Sequence, residues 1–389
     1  MKKRVVQALG CILAMTMVVG SLTACGGKSE KKAEKKAGSD VKVAIICSAA
    51  GQNDNGYNQS AVEGAKKAAD EFGIEYKVVE PTTGVPQALE SLADDGYNVI
   101  FNLEYDFEAL IQGTGGAQPI AEMYPDTTFV CVNDNPNQDE DGNTIHDNVI
   151  SVLFDVHQAS FVAGALTTLV NENGYNFTPA DNGGRSVGFI GGTNSNGITV
   201  FSYGYIEGIN YEAEKLGVNY DYYAKYDAGF ADSATGSTVA GTYYNQGANI
   251  VFSVAGSVGD GVASKAKEEG KLAIQVDANK DDQQPGYVLT SVIKNTEVPV
   301  YDIVKEAVNG KIDKMDRAQT YSLASGAASI TDLSEISKHI QDSGKDKWEE
   351  IKTEIKDVED KISDGTIVVT DAQSGEEFDA SKCPNVTVK

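Results

Sequence analysis

From residue 41 onward, short apolar runs alternate with segments of helical periodicity, and this alternation constrains the fold more than any other feature of the chain. Runs at 41–47, 76–79, 98–103, 128–132, 149–154, 186–191, 219–226, 250–254, 272–276 and 287–293 have the length and the β-branched or aromatic content of strands. The intervening segments 59–72, 85–95, 157–170, 200–216, 231–246 and 259–269 are long enough for helices. Repeated strand–helix units call for parallel sheets covered by helices, and about ten strands divide more naturally between two similar sheets than they join one. The expected fold is α/β, with two doubly wound lobes and a cleft between them.

The two ends depart from this pattern. Lys2, Lys3 and Arg4 precede an apolar stretch at 5–20, too short to span a bilayer comfortably, and the pattern is that of a secretory signal over residues 1–24. It closes on Leu22-Thr23-Ala24-Cys25, which resembles the lipobox of bacterial lipoproteins and implies a lipid on Cys25 and a place on the extracytoplasmic face of the cell membrane. Residues 26–40 contain no apolar side chain larger than alanine, so 25–40 reads as a lipidated cysteine and flexible tether. Near the other end, Trp348, Ile351, Ile355, Val358 and Ile362 recur at spacings of three and four, the stripe of an amphipathic helix laid on a lobe. Gly365 fits its stop, 366–370 an edge strand, and 371–389 a C-terminal extension.

Several function classes are disfavoured. A net charge of -25 would repel a nucleic-acid polymer. There is no G-x-S-x-G and no histidine beside a nucleophile, and Asp281-Asp282 reads as a solvated loop, so no catalytic residue and no cofactor is expected. His146, His157 and His339 lack ligand spacing, which predicts no metal site. Cys47 and Cys131 lie in apolar runs as small hydrophobes, and Cys383 lies near the C-terminus. The glycine-rich turns at 188–192 and 256–261 carry neither a dinucleotide fingerprint nor a P-loop lysine.

In doubly wound sheets, ligands bind beyond the carboxyl ends of the strands. Polar residues crowd there: Asn53, Asp54, Tyr57 and Asn58; Asn133, Asp134 and Asn135; Gly191-Gly192-Thr193-Asn194 leading toward Phe201; and Ala255-Gly256 with Asp277. Any one group is what a turn or helix cap uses. Together they suit a small neutral ligand rich in hydrogen-bonding groups and carrying a ring. A sugar receptor, a sensory partner and a surface nucleoside hydrolase remain as alternatives.

At these residues the chain resembles the basic membrane protein family, the nucleoside-binding lipoproteins of bacterial ABC transporters. The likeness runs from Val41 to about Thr370 and rests on Gly51, Asp54, Asn58, Gln59, Ser60, Glu63 and Gly64, on Ala163-Gly164-Ala165, 188–192, Phe201, Gly204 and Gly208, and on Gly256, Asp277 and 289–294. It implies a type I periplasmic-binding-protein fold whose lobes, joined by three crossovers, close on a nucleoside, with a purine favoured, for delivery to an ABC permease. The expected lobes are 41–154 with 278–293, and 155–277 with 294–370. The resemblance places Tyr57 against the base with Phe201 as a second wall, and Asn53, Asp54, Asn58, Asn133 and Asp134 at polar positions. Gly256, Asp277 and Lys294 fall at the ribose. It further implies a monomer. Asn53, Tyr57, Asn133 and Gln158 stand where the family usually carries Asp, Phe, Asp and Glu, so the preferred base edge can differ.

Overall fold

The computed structural model describes residues 40–389 apart from 175, 176, 179 and 181–183. The expected signal peptide and the lipidation site Cys25, with its tether up to residue 39, lie outside the described residues. The chain begins with β1 (Lys42–Ile46), α1 (Tyr57–Phe72), β2 (Glu75–Val79), α2 (Val85–Asp94) and β3 (Val99–Asn102). Two single turns, α3 (Glu108–Ile111) and α4 (Ile120–Met123), precede β4 (Thr128–Val132) and β5 (Val149–Phe154). Next come α5 (Val156–Asn173), β6 (Ser186–Gly191), α6 (Asn196–Leu216), β7 (Tyr220–Lys225), α7 (Ser233–Asn245), β8 (Ile250–Val254), α8 (Val258–Glu269), β9 (Leu272–Asp277) and β10 (Val288–Lys294). The last elements are α9 (Glu297–Val308), β11 (Ala318–Tyr321), β12 (Ala328–Ile330), α10 (Ser334–Ser337), α11 (Lys345–Ser363) and β13 (Val386–Val388).

Among the described residues the strands form two sheets, ordered β11-β5-β4-β3-β1-β2 and β12-β10-β9-β8-β6-β7-β13. Every pairing is parallel except that of β12 with β10. Central strands are apolar on both faces because helices cover both. Val43 and Ile45 of β1 join one buried cluster with Val99 and Phe101 of β3, while Ala44 and Ile46 face the opposite way with Ile100. In the second sheet Ile250, Phe252 and Val254 of β8 point to one side and Val251 to the other. This is the period-two geometry of a strand.

The chain crosses between the lobes at 155, at 295–296 and at 322–327. The segment allocation differs from expectation. Strand β10 pairs with β9, which puts 288–294 in the second lobe, whereas β11 pairs with β5 and α9 packs on α1, which puts both in the first. An apolar strand suits either sheet equally, so its composition does not name its partner. The α1–α9 contact depends on Gly64, where a Cβ would stand 2.6 Å from the Glu297 carbonyl oxygen.

Helices α5 and α6 approach as closely through Gly164, Gly204 and Gly208. A Cβ on Gly208 would lie 2.0 Å from the Phe161 carbonyl oxygen, and one on Gly204 2.2 Å from that of His157. Helix α11 buries Trp348, Ile351, Ile355, Val358 and Ile362 as the stripe predicts and packs on α5. Residues 366–370 do not form the expected edge strand, because Thr370 gives its amide and hydroxyl to the Glu207 carboxylate at 3.0 and 2.6 Å. The edge is filled instead by β13 from the C-terminal segment, where Phe378 also stacks on Tyr203 at 4.4 Å.

Candidate functional site

The carboxyl ends of β1, β8, β9 and β10, with the start of α1, surround a cleft lined by Ser48, Asp54, Tyr57, Gly256, Asp277 and Lys294, among others. It holds about 710 Å³ of space, counting the part continuous with solvent.

Asp54 lines the cleft but is committed to the helix behind it. Its Oδ1 accepts from the amides of Gly56 and Gln59 and its Oδ2 from the Asn58 amide and Nδ2, all at 3.0 Å. These bonds satisfy donors that the first turn of α1 would leave orphaned. Asn58 is fully buried and ties the same turn to β1, accepting from the Ser48 amide at 2.8 Å and donating to Ser48 Oγ at 2.9 Å. The role of Asn58 is to hold the loop, because both ends of its side chain are taken.

The clamp presents Tyr57, whose hydroxyl donates to the Val132 carbonyl at 3.1 Å. Burial raises that phenol well above its usual range and keeps it a neutral donor. Lys294 Nζ lies 4.4 Å from the centre of the Tyr57 ring and 5.7 Å from that of Phe201. The same ammonium pairs with Asp277 Oδ1 at 3.3 Å, the two side chains 7% and 12% exposed. Aromatic ring, ammonium and carboxylate thus converge at one end of the cleft.

Backbone geometry singles out two predicted residues. Asn133 and Asp277 adopt φ of 70° and 73°, directly at the carboxyl ends of β4 and β9. Such a conformation costs most non-glycine residues about 1–2 kcal/mol and Asn or Asp less, and residues held in it concentrate at functional sites. Gly256 also has positive φ, 53°, and a Cβ there would meet the Phe230 carbonyl oxygen at 2.8 Å.

The remaining predicted residues sit elsewhere. Asn53 is exposed outside the lining, and Asp134 is exposed and bonds the Asn135 amide of its own turn. Phe201 is fully buried beneath Lys294, and the apolar wall it was expected to form comes from Ile198, Phe230, Val254 and Val276. Asn133 lies behind Tyr105, donating its Nδ2 to that hydroxyl, while its buried Oδ1 has no partner. Sequence reasoning missed Ile198, Phe230, Tyr105 and Glu104; only the position of Phe230 shortly after β7 and of Glu104 and Tyr105 shortly after β3 could have signalled them. Among the lining residues, Asp54, Glu104 and Asp277 face a single cation, Lys294. Asp281, expected in a solvated loop, is 2% exposed because Ser291 Oγ donates to it at 2.7 Å from inside the second lobe.

This architecture is that of the two-lobed solute-binding proteins of ABC transport systems. A solute-binding protein of such a system from Aeropyrum pernix K1 superposes with a TM-score of 0.69 over 84% of this chain and 92% of that one, at 20% identity. Another, from Conexibacter woesei DSM 14684, gives 0.61 over 85% and 99%, at 16% identity. The family described as ABC transporter substrate-binding protein PnrA-like, or Bmp, is matched over residues 41–362, and the chain belongs to it. Its function is substrate binding for a transporter, not catalysis. Relatives include the ABC transporter nucleoside-binding protein BmpA of Lactococcus lactis subsp. cremoris, 29% identical over 85% of this chain and 92% of that protein. The CD4+ T-cell-stimulating antigen of Listeria monocytogenes is 26% identical over 95% and 99%, and an uncharacterized lipoprotein of Pyrococcus abyssi 28% over 77% and 70%.

Proposed function

We propose that this protein is a lipid-anchored, monomeric receptor that captures a nucleoside at the extracytoplasmic membrane face and hands it to an ABC permease. The observation that carries the reading is the convergence of the Tyr57 ring with the buried Asp277–Lys294 pair at one end of the cleft. In this reading the base stacks near Tyr57, and Asp277 accepts from the vicinal ribose hydroxyls while Lys294 donates beside it. Gly256 lets backbone approach the sugar. The Tyr105 hydroxyl, which lines the cleft and accepts from Asn133 Nδ2 behind it, supplies a polar edge for the base. The acidic lining disfavours a phosphate, so the nucleoside binds in preference to its nucleotide. Cys25 provides the anchor.

A thermal-shift screen of the chain starting after the tether tests this reading, because a ligand that binds only the folded state raises Tm by mass action. Nucleosides are expected to raise Tm, and free bases, nucleoside monophosphates and monosaccharides much less. A rise with monosaccharides alone would replace the ligand class while leaving the fold in place.

A further inference from the structure

We propose that Asp155, His157 and Asp371 form a binding site for one divalent transition-metal ion of the zinc class, placed at the hinge between the lobes and separate from the ligand cleft. One ligand atom from each residue, two carboxylate oxygens and one imidazole nitrogen, lies within 4.8 Å of the others. His157 Nδ1 stands 3.7 Å from Asp371 Oδ1. Zinc bonds of about 2.0–2.2 Å in tetrahedral geometry bring ligand atoms to about 3.3–3.6 Å of one another, so the cluster needs to contract by roughly an ångström.

A second observation points to a guest. His157 is 5% exposed, and its Nδ1, directed at this cluster, has no hydrogen-bond partner. Buried polar atoms are nearly always partnered, and a ring nitrogen beside two carboxylates gains one when a cation enters. Burial holds the ring below its ordinary pKa, in the neutral form that ligates metals. Among the described residues no lysine or arginine pairs with Asp155 or Asp371, and the nearby Glu376 adds further negative potential at His157. The supporting shell is also present. Gln158 Nε2 donates to Asp155 Oδ2 at 3.3 Å, and the amides of Gln373 and Ser374 donate to Asp371 Oδ1 at 3.0 and 3.2 Å. Such outer contacts orient metal ligands. The nitrogen donor favours zinc over calcium or magnesium, which prefer six or more oxygens, and three protein ligands leave a position for water.

The placement gives the ion a mechanical consequence. Asp155 lies on the first crossover, and its amide donates to the carbonyl of Tyr321, where the third begins. Asp371 follows α11 in the segment whose Gln373 reaches the Asn133 carbonyl of the first lobe at 2.7 Å. A metal held by all three residues therefore fastens the C-terminal segment to the hinge.

The test is calorimetric titration of zinc chloride, and separately calcium chloride, into chelator-stripped and dialysed protein, wild type and Asp371→Asn, with Tm measured in parallel. The site predicts one saturable zinc per chain, tighter than calcium, a zinc-dependent rise in wild-type Tm, and zinc affinity reduced by at least about tenfold in the variant. The apo variant should keep nearly the wild-type Tm, because Asp371 is half-buried on a segment outside the sheets. Asp155→Asn supplies an independent arm with the same expectation. No saturable zinc binding, tighter calcium than zinc, or zinc affinity unchanged in both variants would overturn the site.

Discussion

Replacing Asp277 by asparagine separates the sugar end of the proposed ligand from its base. Asparagine accepts the left-handed backbone, so the φ of 73° at this position does not confound the experiment as alanine would. The substitution leaves Lys294, 5% exposed, without the carboxylate at 3.3 Å, although the Tyr57 ring at 4.4 Å still faces its ammonium. Losing one partner of a buried pair costs stability by about 3–5 kcal/mol. Tm should therefore fall while the chain still folds. For binding, hydrogen bonds to a charged acceptor contribute about 1.5–3 kcal/mol, which predicts nucleoside affinity lower by roughly 10- to 150-fold. A free base, which does not reach Asp277, should lose little. Isothermal titration of the same variant with a nucleoside and its base gives both numbers. Equal losses for the two would refute the placement of the ribose at Asp277.

Three other perturbations bear on the site and its scaffold. Tyr57→Ala should weaken nucleoside binding by about 1–3 kcal/mol of lost stacking, whereas Tyr57→Phe loses only the bond to Val132 and should retain affinity; a large loss in the Phe variant by calorimetry would shift the role from ring to hydroxyl. Gly208→Ala forces a Cβ against the Phe161 carbonyl and should destabilise by about 1–3 kcal/mol or more in denaturant melts; an unchanged midpoint would contradict the close α5–α6 contact. Burial pushes the thiols of Cys47 and Cys383 up to about 12 and Cys131 higher still, so a chain starting after the tether should resist a thiol reagent at pH 8 and expose all three on unfolding; rapid native labelling would contradict their burial.

The strand–helix alternation is readable because parallel strands buried on both faces leave continuous apolar runs such as 43–46 and 129–132. What it could not carry was partnership. Strand β10 and helix α9 have ordinary strand and helix patterns, and only the return of the chain across the hinge assigns them to opposite lobes. β11, β12 and β13 have only 3 or 4 residues each, too few to show a period. In the cleft, residues at strand ends with unusual backbone, Asp277 and Gly256, were visible as turn residues that exceed what a turn needs. Ile198 and Phe230 were not, since an apolar residue looks the same whether it faces a core or a ligand. Glycines 64, 204 and 208 stood out in the family pattern for a reason unrelated to the ligand, the close approach of helices. The cluster of Asp155, His157 and Asp371 escaped notice because its third member comes from the far end of the chain, where no local spacing could announce it.

The central claim is that the cleft recognises base and sugar together. The most direct measurement is calorimetric titration of the chain starting after the tether with a purine nucleoside, the matching free base, the 5′-monophosphate and ribose under one set of conditions. One binding event per chain is expected for the nucleoside, with the base, the monophosphate and ribose each at least about tenfold weaker, one decade being about 1.4 kcal/mol. Ribose or another sugar binding as tightly as every nucleoside tested would contradict it.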